Sequence, residues 1–199
     1  MIKPIDLFNK YKDVYAEPFV IYPDKSDKEY SVTLTENDHS SKLRKLTVRN
    51  VPKDTILLPL HEYSNIELGN KLKNILKSEH GIFKCCDYLL ITMVKGKLFL
   101  VFIEMKSEQL DSSNIKKQFK GASCFIEYCN AIIEHFYNMP SLKSLTVNPR
   151  YVLISKGTLN KRSIKPKTYG KHSSPDNFAR LKVSISDKNS ATVTFRPFI

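Results

Sequence analysis

The sequence predicts a mixed α/β domain: a central mixed sheet flanked by helices, with a β-rich addition at the N-terminal side. Three observations point there. Apolar residues recur at helical spacing in two well-separated segments. Between those segments lie two nearly continuous apolar runs, rich in Ile, Leu, Val and Phe, divided by a short polar turn. Another short apolar run follows the second helical segment, giving the order helix, strand, strand, helix, strand.

The first helix is expected over Leu60–Ser78, where Leu68, Leu72, Ile75 and Leu76 form one stripe and His80-Gly81 supplies the stop. Lys84–Met93 and Lys97–Lys106 then read as two strands, and Val94-Lys95-Gly96-Lys97 as the tight reversal of a hairpin. The second helix is expected over Ser113–Tyr137. Its face is Ile115, Phe119, Ala122, Ile126, Cys129, Ile133 and Phe136, with Asp111, Ser112 or Ser113 able to cap its start. Tyr151–Ser155 and Ala191–Phe195 complete the set of later strands. Before Leu60, the pieces Phe19–Tyr22, Tyr30–Thr35 and Leu46–Val51 read as short strands separated by polar turns. We therefore expect one domain over 1–199: a β-rich elaboration over 1–55 and a core over 56–199.

Composition narrows the function classes. A chain of 199 residues with 41% hydrophobic and 26% charged residues can bury a core, and six Gly and ten Pro exclude fibrous or low-complexity architectures. No apolar run approaches the roughly 20 residues of a spanning helix, and Met1–Pro18 lacks the apolar centre of a signal peptide, so a cytoplasmic protein without a membrane role is expected. Cys85, Cys86, Cys124 and Cys129 lack the paired spacing of a zinc site and read as buried free thiols in a reducing compartment. Against 20 acidic residues stand 32 Lys and Arg, a formal net charge of +12, which favours a polyanionic partner and nucleic acid first.

The hairpin carries the chemistry. If Lys95 and Gly96 are its two turn residues, Asp87 falls opposite Glu104, and Lys106, two residues further, points to the same face. Two opposed carboxylates repel unless something positive intervenes. Carboxylate oxygens with water suit Mg²⁺ or Mn²⁺. An exposed ion pair between Glu104 and Lys106 at a strand end is the plainer alternative.

Asp87, followed after sixteen residues by Glu104-Met105-Lys106 on the adjacent strand, with an amphipathic helix on either side, resembles the PD-(D/E)xK nuclease superfamily. Cys86 stands where that family nominally has proline. The resemblance covers about residues 60–157 and implies a restriction-endonuclease-like core and Mg- or Mn-dependent hydrolysis of nucleic acid. DNA is expected ahead of RNA, with roles in restriction or phage defence. It places metal ligands at Asp87, Glu104 and the Met105 carbonyl, and Lys106 beside the attacking water or the phosphate. Gln118, at the edge of the second helix's stripe, matches a glutamine that many relatives aim at the site. An acidic residue of the first helix often completes the metal site, and Glu67 is taken ahead of Glu62. A homodimer or a partner protein is compatible with this reading.

The substrate surface is expected after the site. No Asp or Glu occurs from His135 through Pro175, while Lys156, Lys161, Arg162, Lys165, Lys167 and Lys171 crowd a loop over about 156–175. Successive cations of this kind neutralise a phosphate backbone without reading bases. The competing expectation is a non-catalytic nucleic-acid-binding or assembly subunit on the same fold.

Overall fold

The structure, a computed structural model, describes residues 5, 8, 9, 13, 14, 20–26, 29–36, 41–60, 84–107, 111–138, 147–157 and 172–199. The expected helix over Leu60–Ser78, apart from Leu60, lies outside the described residues.

Among the described residues nine strands form two mixed sheets. The five-stranded sheet has the order β4 (Thr55–Pro59), β5 (Tyr88–Val94), β6 (Lys97–Lys106), β7 (Val147–Lys156) and β8 (Ala179–Val183). The pairs β4–β5 and β5–β6 are antiparallel; β6–β7 and β7–β8 are parallel. The four-stranded sheet has the order β1 (Asp24–Ser26), β2 (Glu29–Thr35), β3 (Lys45–Val51) and β9 (Ser190–Thr194), antiparallel except for the parallel β3–β9 pair.

The centre of the molecule is β6. Its sequence Lys-Leu-Phe-Leu-Val-Phe-Ile-Glu-Met-Lys buries every residue from Leu98 to Met105, as expected of a strand covered on both faces. Leu98, Leu100 and Phe102 pack with Ile115, Phe119, Ala122 and Ile126 of the helix α1 (Ser112–Phe136). Phe99, Val101, Ile103 and Met105 turn the other way, against Val32, Leu34, Leu46 and Val48 of the second sheet. The layers are thus helix, five-stranded sheet, four-stranded sheet.

The expectation of a sheet flanked by helices is met in part. Among the described residues α1 covers one face of the central sheet, with the helical residues Phe8 and Leu60 buried in the same core, and the opposite face is covered by β2, β3 and β9. Nor do the strands before residue 55 make a sheet by themselves, because β9 closes the edge of β3. Of the expected N-terminal strands, Tyr30–Thr35 and Leu46–Val51 lie within β2 and β3. Of the expected strand Phe19–Tyr22, Phe19 lies outside the described residues, and the rest contributes an isolated bridge between Ile21 and Leu57. The strand expected from Lys84 begins only at Tyr88.

The β5–β6 turn is the one its sequence predicts. Lys95 and Gly96 have φ of 49° and 73°, the two positive values a type I′ turn requires, and Val94 pairs with Lys97. That turn sets the register of the whole hairpin, through to Tyr88 opposite Ile103.

Helix α1 is capped by Asp111, whose Oδ1 accepts from Ser113 N at 2.9 Å. Its buried stripe follows Ile115, Phe119, Ala122, Ile126 and Ile133, but Asn130 takes the place expected for Cys129, and Phe136 is 79% exposed. The four cysteines are free thiols; Cys86 alone is fully buried and Cys124 is exposed, which corrects the expectation that all are core. No helix of the described residues is long and apolar enough to cross a membrane.

Candidate metal and phosphate site

At the open end of the β5–β6 hairpin the ladder gives way to side chains. Asp87 immediately precedes β5, and continuing the register places it opposite Glu104. Instead of pairing backbone to backbone, the strands are laced through their carboxylates. Glu104 Oε2 accepts from Asp87 N at 3.2 Å, and Asp87 Oδ2 accepts from Met105 N at 2.6 Å. Alternation puts Asp87 and Glu104 on the α1 side of the sheet, with Leu89, Ile91, Leu100 and Phe102. The N–H and C=O of a strand residue point to the same neighbour, so the Met105 carbonyl faces β5 and Asp87 as well.

Glu104 is fully buried, yet each hydrogen bond and ion pair it makes is with a donor. Besides Asp87 N, its Oε1 accepts from Gln118 Nε2 at 2.6 Å and lies 2.5 Å from Lys106 Nζ. Gln118 sits one helical turn from Ile115 and Phe119 has the next position, so the packing that buries those two residues carries the amide to the edge of the stripe and onto Glu104. The structure therefore brings Asp87, Glu104, Lys106 and Gln118 into one cluster, with Met105 contributing backbone.

Burial, and then the neighbouring charge of Asp87, push the Glu104 carboxyl up to about 8; Lys106 and the Gln118 hydrogen bond pull in the opposite direction without prevailing. Burial lowers Lys106, but the charges of Glu104 and Asp87 more than reverse it, so its ammonium is held above the ordinary lysine value. Lys106 thus stays protonated at neutral pH and can act as a cation or hydrogen-bond donor, not as a general base.

The donor set fits a hard divalent cation. Two carboxylates and one carbonyl offer oxygen only, the preference of Mg²⁺ and Mn²⁺, and such ions ordinarily complete their shells with water and substrate oxygens. Among the described residues no group of three or more His, Cys, Asp and Glu converges to form a closed cage. Free thiols do not change this choice. Cys85 borders the site, but burial, with Cys124 and Glu104 adding, raises its thiol to about 11, far from a thiolate ligand at neutral pH.

Of the other expected residues, Glu67 lies outside the described residues, as do Lys161, Arg162, Lys165, Lys167 and Lys171. Lys156 is the exposed last residue of β7. Its register partner Val183 belongs to the core between the sheets, so Lys156 starts out on the face opposite Glu104.

One supporting contact has no local trace in the sequence. Tyr88, next to Asp87, points into the space between the sheets, where its Oη donates to Thr35 O at 2.6 Å and Thr35 N donates to it at 2.9 Å. This clamp fastens the end of β2 to the start of β5 and brings Glu36 near enough to contribute to the field at Lys106. A tyrosine opening a buried strand signals that its hydroxyl needs a partner, but not which one. The chain matches no family model, no curated protein and no solved structure.

Proposed function

We propose that this protein is a metal-dependent phosphodiesterase acting on nucleic acid, with DNA the first substrate to test. The observation that supports the reading is the lacing of Asp87 and Glu104 across the β5–β6 hairpin with Lys106 and Gln118 closed onto Glu104. A simple surface ion pair requires neither a fully buried carboxylate nor a second one beside it. The +12 charge suits a polyanionic substrate.

In this reading Asp87, Glu104 and the Met105 carbonyl hold Mg²⁺ or Mn²⁺, which when bound supplies charge to the phosphate and acidifies an attacking water. Gln118 fixes the orientation of Glu104 through Oε1. Lys106, already protonated, donates from Nζ to the incoming water or to a phosphate oxygen and stabilises the charge that grows there. The hydrophobic walls of the β5–β6 hairpin exclude bulk water behind Glu104 and strengthen each of these interactions.

The direct test is cleavage of plasmid and of labelled oligonucleotides with Mg²⁺, with Mn²⁺ and with chelator. Asp87→Ala, Glu104→Gln and Lys106→Ala should each abolish metal-dependent cleavage while circular dichroism stays native. Wild-type protein that is inert toward single- and double-stranded DNA and RNA with either metal would overturn the reading.

A further inference from the structure

The register of the parallel strands extends the site sideways. Glu104 pairs with Leu153, which pairs with Arg180; Lys106 pairs with Ser155, which pairs with Lys182. Register partners share a face, and Arg180 and Lys182 alternate with Leu181 and Val183, which turn toward the core between the sheets. Both cations therefore stand on the α1 face with the carboxylates, in the same two rows, about 10 Å away at two strand spacings.

Each is held in place without a carboxylate. Arg180 Nη2 donates to Ser112 Oγ at 2.6 Å, and its guanidinium lies over the Phe178 ring, 5.5 Å from the centroid. The Lys182 stem crosses Gly157: a Cβ there would meet Lys182 Cδ at 2.8 Å and Cβ at 3.0 Å, so any larger residue would push the lysine off this path. By contrast, Lys116 and Lys120 on the neighbouring helix are committed to Asp176, at 3.8 and 3.0 Å. Among the described residues, neither Arg180 nor Lys182 has an acidic partner, and both are exposed.

We propose that Arg180 and Lys182, in line with Lys106, form a track for the phosphate backbone of one nucleic-acid strand across the carboxyl ends of β6, β7 and β8, seating phosphates adjacent to the one presented to Asp87 and Glu104. The inference rests on the phosphodiesterase reading and adds where the strand lies. Contacts of this type position a substrate without reading its bases. The track uses residues outside the lysine-rich segment that the sequence singled out.

The test is the salt dependence of binding. Fluorescence anisotropy with a labelled single-stranded DNA and an RNA of the same sequence, in chelator so that nothing is cut, gives the slope of log affinity against log salt. Each backbone cation removed should lower that slope by about 0.7 and weaken binding about five-fold near 0.1 M salt. Arg180→Gln with Lys182→Gln should therefore lower the slope by about 1.4. Arg180→Lys should keep the slope near wild type, and Lys116→Gln with Lys120→Gln should leave it unchanged. Loss on both oligonucleotides, or on one alone, supports the track and names the strand it holds. An unchanged slope in the double glutamine variant overturns it. If the wild type still cleaves, only the track falls; a wild type that neither binds nor cleaves removes the phosphodiesterase reading together with it.

Discussion

Glu104 makes the metal-free fold sensitive to pH in an unusual direction. Its carboxyl is raised from 4.5 to about 8, chiefly by burial, so the folded state binds a proton that the unfolded chain releases. A raised carboxyl contributes stability that is complete below the unfolded value and is lost as pH climbs through the folded one. Integrating between about pH 5 and about pH 9, wild type should lose roughly 4 kcal/mol from this group. Lys106 does not add to the change in this window, because a raised ammonium keeps its contribution until pH passes the ordinary lysine value. Glu104→Gln removes the titrating group while keeping the side chain's size. Urea denaturation of both proteins across this range, in chelator, isolates the effect as a difference, which should move in favour of the variant as pH rises. Millimolar Mg²⁺ or Mn²⁺ should flatten the wild-type curve by replacing the proton. A difference that does not vary with pH, or one that favours wild type at high pH, would refute the reasoning, since it would mean that Lys106 and Gln118 hold Glu104 ionised.

Tyr88→Phe should cost about 1 kcal/mol by removing the hydroxyl that joins the Thr35 N–H and C=O, seen as a lower urea midpoint with little change in slope. Phe119→Ala, which removes a fully buried ring packed 5.4 Å from Tyr151 and 5.5 Å from Phe178, should cost about 3–5 kcal/mol and broaden the near-ultraviolet spectrum. Lys95→Asn should stabilise the hairpin by up to about 1 kcal/mol in thermal melts, because asparagine tolerates the positive φ at that turn position better than lysine. Gln118→Ala should leave the melting temperature within a few degrees but reduce metal-dependent cleavage by about ten-fold or more, through loss of the contact that orients Glu104.

What the sequence conveyed best was local. A two-residue turn with positive φ at both positions fixes which residues face each other, so the juxtaposition of Asp87 and Glu104 could be counted out from Lys95 and Gly96. The α1 stripe was equally legible at Ile115, Phe119, Ala122, Ile126 and Ile133, because 3.6-residue periodicity needs only neighbours; it failed at Cys129, where Asn130 is buried instead, and at Phe136, which is exposed. The second sheet was not legible as a layer. Its closing pair, β3 with β9, joins residues 145 apart (190 minus 45), and no local pattern records such a partner. The β8 strand does leave a signal, since Ala179-Arg180-Leu181-Lys182-Val183 alternates strictly, but five residues beside a lysine-rich segment are too few to stand out from it. The Tyr88–Thr35 clamp escaped for a simpler reason, since hydrogen bonds between layers have no period.

The late partner of β3 also orders the molecule's assembly. The β5–β6 hairpin can zip from its turn as soon as both strands exist, whereas β3 keeps a bare edge until Ser190–Thr194 emerges to cover it. During synthesis the acidic pair can therefore meet while the layer behind Tyr88 is still incomplete, and the nascent chain passes through a stage in which an unprotected strand is available to any other extended segment nearby.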